Sequence, residues 1–211
     1  MDYSLEDYYN TGDNSVVWQY GAYWDSQTFQ TGSAYAISRV KIKCFRTGSP
    51  GTVTVGLRAT TAGKPSGVDL TSGTFDGNSI TSSSPGEWVA VDFTPYELSI
   101  TTTYAIVVRA PSGSASHRLN WRRDSGAGYA GGSRVYSLNS GSSWSIDAAN
   151  DFMFETYSGS AADYKDMSGT ATMTFHTFAG PLTVSSNITN AVPSSLSKLV
   201  AIGNDSFYYE S

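Results

Sequence analysis

The stretch RTGSPGTVTVGLRAT, Arg46 to Thr60, decides the fold. Its Gly-Ser-Pro-Gly corner, Gly48 to Gly51, is turn chemistry, because proline presets φ and glycine accepts a left-handed backbone. Beyond the corner, Val53, Val55 and Leu57 alternate with Thr52, Thr54 and Arg58. A period of two sends the two sets to opposite faces of a strand. Ahead of the corner, AISRVKIKCFR puts Val40, Ile42 and Cys44 on one face and Lys41 and Lys43 on the other. Two alternating runs joined by a tight corner predict a β-hairpin. Neither run carries a metal cluster or a phosphate loop. The apolar half builds a core, and the polar half leaves a sheet face free for a partner.

The same grammar extends in both directions. VVWQYGAYWDSQTFQ, Val16 to Gln30, reads as one or two short strands broken at Gly21. AGKPSGVD reads as a loop and LTSGTFDG as a weaker strand. EWVAVDF, TTYAIVVRA, HRLNWRRD and DFMFETY each set apolar residues on one face: Val89, Val91 and Phe93; Tyr104, Ile106 and Val108; Leu119 and Trp121; Phe152 and Phe154. SRVYSL and SSWSID flank Asn-Ser-Gly as a second hairpin. About eight to ten strands at spacings of roughly 8–15 residues, with no convincing amphipathic helix, predict an all-β sandwich. Two antiparallel sheets must pack face to face to hide these apolar faces.

The expected domain organisation has three parts. Residues 1–15 are a polar, acidic N-terminal arm. Residues 16–158 are the sandwich. Residues 159–211 are a linker and a β-rich C-terminal extension, too short for an easy second core. That extension, with TATMTFHTF and LTVSSNITN, reads as an assembly arm pairing with a neighbour or as the start of a further domain.

Composition narrows the function classes. The 211 residues carry 13 basic and 18 acidic side chains, a net charge of −5. A general basic surface for nucleic acid is excluded, and the small cluster Arg118, Arg122 and Arg123 does not change that. No apolar run approaches the roughly 18 residues of a membrane helix. MDYSLEDYYNTGDN has no apolar segment of a secretory signal. The expectation is therefore synthesis in the cytoplasm and work on a virion or extracellular surface, reached by lysis, by particle assembly or within a longer chain. One cysteine, Cys44, allows no internal disulfide and sits on an apolar face as a small buried hydrophobe.

Catalytic patterns are weak. The two histidines, His117 and His176, lie in separate segments without zinc spacing, and no Gly-x-Ser-x-Gly elbow occurs. The chain is read as a non-enzyme with no certain cofactor. A structural Ca²⁺ is the one ion considered: DAAND offers Asp147, Asn150 and Asp151, and FDGN is a poorer second. The competing account is turn geometry. Aromatic residues are the best binding candidates, because indole and phenol rings stack on the C–H faces of sugars. Trp18, Tyr20, Tyr23 and Trp24 cluster near the start. The assigned glycan candidates are Tyr129 in the Gly-rich GAGYAGG and Trp144 in SSWS, then Trp121, with Arg123 as polar partner. Core packing is the competing role for each.

FRTGSPGTVTVGLRAT, YAIVVRAPSG and LNWRRDSGAGYAGGSRVYSLNSGSSWSIDAANDFMFETY together resemble the choice-of-anchor type jelly-roll domains of bacterial, archaeal and phage surface or virion proteins. These are similar to carbohydrate-binding sandwiches. The resemblance spans about Val16 to Tyr157. It implies a jelly-roll β-sandwich used for display and adhesion, with no catalytic residues to carry over. The first functional expectation is a structural or adhesion protein on a phage or virus particle (a decoration, capsid-associated or tail-appendage subunit) or on a surface filament. Such a protein self-associates and contacts other particle subunits. The alternative is a carbohydrate-binding module of a larger adhesin or glycan-active enzyme, with cell-surface glycans as partners.

Overall fold

The computed structural model describes residues 3–126 and 128–159 with their side chains, and the backbone of strand residues 164–165, 169–177, 180–188, 192–193, 198–202 and 206–210. The chain divides into two compact units, Tyr3–Ser158 and a second containing Gly159–Ser211. In the first, the strands in chain order are β1 (Tyr3–Tyr9), β2 (Ser15–Gln19), β3 (Trp24–Gln30), β4 (Tyr35–Thr47), β5 (Thr52–Thr61) and β6 (Lys64–Asp76). They continue with β7 (Glu87–Leu98), β8 (Thr103–Arg109), β9 (Arg118–Asp124), β10 (Arg134–Ser137), β11 (Ser145–Asp147), β12 (Asp151–Phe152) and β13 (Phe154–Gly159). The described residues contain no helix.

The expected sandwich of two antiparallel sheets is what these strands build. One sheet holds β1, β13, β4, β9 and β12, with β2 on β9 and β7 on β4; the other runs β11-β10-β3-β8-β5-β6. Facing residues of both sheets form one core. Val40, Ile42, Cys44, Val91, Leu119, Trp121 and Phe154 come from the first; Phe29, Val53, Val55, Leu57, Ile106 and Val108 come from the second. Each large side chain in that set stabilises the fold by about 1.5–3 kcal/mol through removal from water. Cys44 is fully buried, and burial pushes its thiol well above the ordinary range.

The predicted hairpin around Gly48–Gly51 is corrected. β4 and β5 do not pair: β4 bonds to β7, β9 and β13, and β5 bonds to β6 and β8. The corner is an arch between sheets. Alternation states which residues face the core, but not which strand supplies the ladder. Here the apolar faces of the two strands look at each other across the core. The arch is pinned by Arg46 Nη1 donating to Gly48 O at 2.7 Å and by Ser49 N donating to His117 Nδ1 at 2.8 Å. The true hairpin follows in the segment read as a loop. Thr61 opposes Lys64 across Ala62-Gly63, whose φ values of 50° and 73° are those of a type I′ turn. The hairpin of β10 and β11, with Val135 opposite Ile146, matches the sequence reading.

The first sheet forks. β9 pairs with β4 from Arg118 to Trp121, then pairs with β12 at Arg123 and Asp124. β13 meanwhile takes over beside β4. Met153 stands at the branch: its N donates to Arg122 O at 3.0 Å, and its O accepts from Trp121 Nε1 at 3.0 Å. Trp121 stacks on Phe152 with ring centroids 4.0 Å apart.

The N-terminal segment, read as an arm, contributes β1 to the sheet beside β13. Asp7 N donates to Thr156 Oγ1 at 3.0 Å, and Tyr35 donates its hydroxyl to Asp7 Oδ2 at 2.9 Å. Asp13 pairs with Lys43 at 2.6 Å and with Arg122. These partners lie more than twenty residues away, so local composition did not reveal them. In the second unit, β14 (Tyr164–Lys165) pairs with β17 (Val192–Pro193), β15 (Gly169–Thr177) with β16 (Gly180–Ile188), and β18 (Lys198–Ile202) with β19 (Ser206–Glu210), all antiparallel.

Replacing Asp13 removes a carboxylate shared by two cations. Asp13→Ala is expected to lower unfolding stability by about 2 kcal/mol, the scale for hydrogen bonds to charged groups. Urea titration reads this as a lower midpoint. An unchanged midpoint would detach the leader from the sandwich.

Candidate functional site

One open side of the sandwich holds a groove of about 430 Å³. Val16, Val17 and Trp18 of β2 supply one wall. Arg134, Tyr136, Ser137 and the adjoining Leu138 supply the other. Tyr20 and Tyr23 close one end, and Asp25 of β3 also lines the groove. The two walls belong to different sheets. The tyrosines meet because the chain doubles back between β2 and β3. Tyr23 N donates to Tyr20 O at 2.9 Å, Gly21 takes a φ of 53°, and the rings pack edge to face at 4.8 Å. Trp18 keeps 50% of its surface exposed, Tyr23 39% and Leu138 62%. Those exposures are unusual for large apolar side chains concentrated in one place.

Charges in the groove are organised around Arg134. Its Nε donates to Asp25 Oδ1 at 2.7 Å, and its Nη1 donates to Asp147 Oδ2 at 2.7 Å. Its guanidinium carbon lies 4.7 Å from the centroid of the Tyr136 ring. Asp25 also accepts from Gln19 Nε2 at 3.2 Å. Burial pushes the Asp25 carboxyl above its ordinary value, against the opposing pull of Arg134, Gln19 and Arg123. Arg123 is shifted down by burial and by the Arg134 charge, with Asp147 and Asp25 opposing. Among the described residues, Gln19 Oε1 and Arg123 Nε are buried without a hydrogen-bond partner. Flat aromatic faces beside a fixed polar cluster can stack a ring and bond its substituents.

The predicted site residues do not converge. Trp121 is fully buried in the core. Tyr129, expected on an exposed loop, is half-buried: its ring packs edge to face on Phe154 at 5.3 Å and lies 5.6 Å from Tyr9, and burial pushes its hydroxyl up. Small neighbours allow a backbone to approach closely, so the Gly-rich loop brings this ring onto the core instead of presenting it. Trp144 is half-buried and is not among the residues lining the groove. Arg123 is not among the lining residues either, although Asp25 and Asp147 act on its charge. The residues that form the aromatic wall are Trp18, Tyr20 and Tyr23, which the sequence marked as a cluster but ranked below the others. Tyr136 was missed, because its β10 strand becomes a wall through pairing with β3.

The calcium candidates are engaged with protein partners. Asp147 accepts from Arg134, from Asn150 Nδ2 at 2.8 Å and from Ala149 N at 3.3 Å. Asp151 is buried and accepts from Gln27 Nε2 at 3.1 Å and from Tyr129 N at 3.0 Å. Asp147, with Asn150 and Ala149, has the local bonds of a turn, whereas Asp151 is tied to Gln27 of β3 and to the Tyr129 backbone. Among the described residues, no group of three or more His, Cys, Asp and Glu side chains is arranged to hold a metal ion.

Trp24, the remaining member of the early aromatic cluster, is covered by cations. Arg58 and Arg109 lie over its ring, 5.8 and 5.2 Å from the centroid. Both are held by Asp69, with Arg58 Nε at 2.7 Å. Burial raises the Asp69 carboxyl, but the hydrogen bonds from Arg109 and Arg58 outweigh it and hold the group below its ordinary value.

No protein-family model matches the chain, and no curated protein matches it.

A depressed carboxyl stabilises the fold above its unfolded pKa and loses that contribution as pH falls through its lower folded pKa. Asp69→Asn is expected to cost about 2 kcal/mol at neutral pH. The gap should narrow as pH falls from neutral to below the ordinary carboxylate value of about 4. Denaturation curves at both pH values test this, and a gap of equal size at each would remove the ionic role.

Proposed function

We propose that the Tyr3–Ser158 sandwich is a non-enzymatic glycan-binding module serving adhesion. One observation carries the reading: Trp18, Tyr20, Tyr23 and Tyr136 line a single groove together with the Asp25–Arg134 pair. Aromatic faces match the apolar faces of sugar rings, and the paired charges offer acceptor and donor edges to hydroxyls. The volume of about 430 Å³ falls within the usual range of small-ligand sites. Hydrolysis of a glycoside needs two carboxyl groups flanking the bond, and Asp25 is the one acid among the described residues lining the groove. An open groove of this kind binds weakly alone and gains strength when many copies act together. That favours work on the surface of a particle or cell, the setting the jelly-roll resemblance implies.

Trp18→Ala and Tyr23→Ala are each expected to weaken glycan binding about tenfold, a typical loss for an aromatic anchor. Trp144→Ala should leave binding unchanged. Calorimetric titration with a sugar first identified on a glycan array provides the measurement. Full affinity in both groove variants would refute this site.

A second reading, assembly into an oligomer, draws on the other unit. Its backbone forms three separate two-stranded ladders, β14 with β17, β15 with β16 and β18 with β19. Two-stranded ribbons are marginal in water unless a further strand or surface covers them. We propose that they pair with neighbouring subunits. Removing residues 163–211 is expected to reduce the assembly to monomers while the sandwich stays folded. An oligomer of unchanged size on light scattering would count against it.

A further inference from the structure

We infer that the groove selects uncharged sugars over carboxylated or sulfated ones, an inference that rests on the glycan reading above. The charged side chains lining the groove are Asp25 and Arg134, and they bond each other at 2.7 Å. Arg134 also holds Asp147 at 2.7 Å, so its guanidinium already serves two carboxylates. Arg123 feels the charge of both carboxylates but is not among the groove's lining residues.

An acidic sugar gains most from a cation whose charge is not already offset. At Arg134 it meets a guanidinium whose charge is offset by two carboxylates fixed in place by folding, and it must approach a chain of net charge −5. A hydroxyl faces no such contest. It carries no charge, so it can bond the accessible edge of Arg134 while Asp25 and Asp147 keep their own bonds to that guanidinium. Arg118 is a further cation near Trp18, with its guanidinium carbon 4.1 Å from the ring centroid. Its Nη1 is held by Ala115 O at 2.6 Å, and it is not among the groove's lining residues.

The test uses the full chain against matched immobilised pairs: N-acetyllactosamine chains with and without terminal sialic acid, and galactans with and without sulfate. The uncharged member of a pair should bind at least about tenfold more tightly, and Trp18→Ala should weaken that binding about tenfold, which places it in the groove. Asp147→Asn, which frees one edge of Arg134, should raise affinity for the acidic member by about threefold or more. Preference for acidic members, lost in Trp18→Ala, would overturn the selectivity and leave the glycan reading standing. Unchanged acidic affinity in Asp147→Asn would overturn the role given to that pairing. Binding to none of the four probes would overturn the glycan reading and the selectivity together.

Discussion

The indole N–H of Trp121 bonds to Met153 O at 3.0 Å inside the core, and the first sheet is arranged around that contact. Trp121 is fully buried, so its polar hydrogen needs a partner. The sheet supplies one by splitting its ladder, which leaves Met153 between β4 and β9. Its carbonyl then meets the indole, while its N–H is satisfied by Arg122 O at 3.0 Å. Phe152, one residue earlier, is free to stack on the indole. The split also gives the sheet a second outer strand: β1 follows β13 on one branch and β2 follows β9 on the other.

That branching explains where the groove lies. β2 hangs on β9 alone among the described strands and sits opposite β10 of the other sheet. On the far side, β6 and β7 come together, with Thr71 Oγ1 donating to Thr94 O at 2.8 Å. One side of the sandwich is thus bridged, and the other leaves aromatic side chains facing an opening. The buried charges serve that opening. Asp25 would be an isolated anion between the sheets without Arg134, and isolated buried charges are strongly destabilising. Arg134 in turn is oriented by Asp147 on β11, so the β10–β11 hairpin fixes the wall as well as the turn.

The aromatic residues separate into three environments for a physical reason. Trp121, Phe152, Phe154, Phe29 and Tyr129 join through ring contacts between 4.0 and 5.7 Å and fill the inter-sheet space. Trp24 is capped by Arg58 and Arg109. Trp18 lies on β2 with Arg118 over one face of its ring at 4.1 Å, and Tyr20 and Tyr23 lie on the turn that follows; Trp18 and Tyr23 keep 50% and 39% of their surface exposed. Ring chemistry alone does not distinguish these three environments.

The alternation of Val53, Val55 and Leu57, and its counterpart in Val40, Ile42 and Cys44, determined by itself that the protein is all-β and that two sheets share a core. Side-chain direction follows directly from strand period, and burial of apolar area does the rest. Period is blind to partnership. It did not distinguish an arch from a hairpin at Gly48–Gly51, and it gave no sign that the acidic leader would be captured by Thr156, Lys43 and Arg122. The candidate site was legible as a cluster of aromatics between Trp18 and Trp24, but not as a groove. Its second wall, Arg134 and Tyr136, arrives from more than a hundred residues away through pairing of β10 with β3. Exposure of a ring is set by what packs over it, and only the tertiary structure decides that: Tyr129, between Gly128 and Ala130, went inward, and Trp18, between Val17 and Gln19, stayed half exposed.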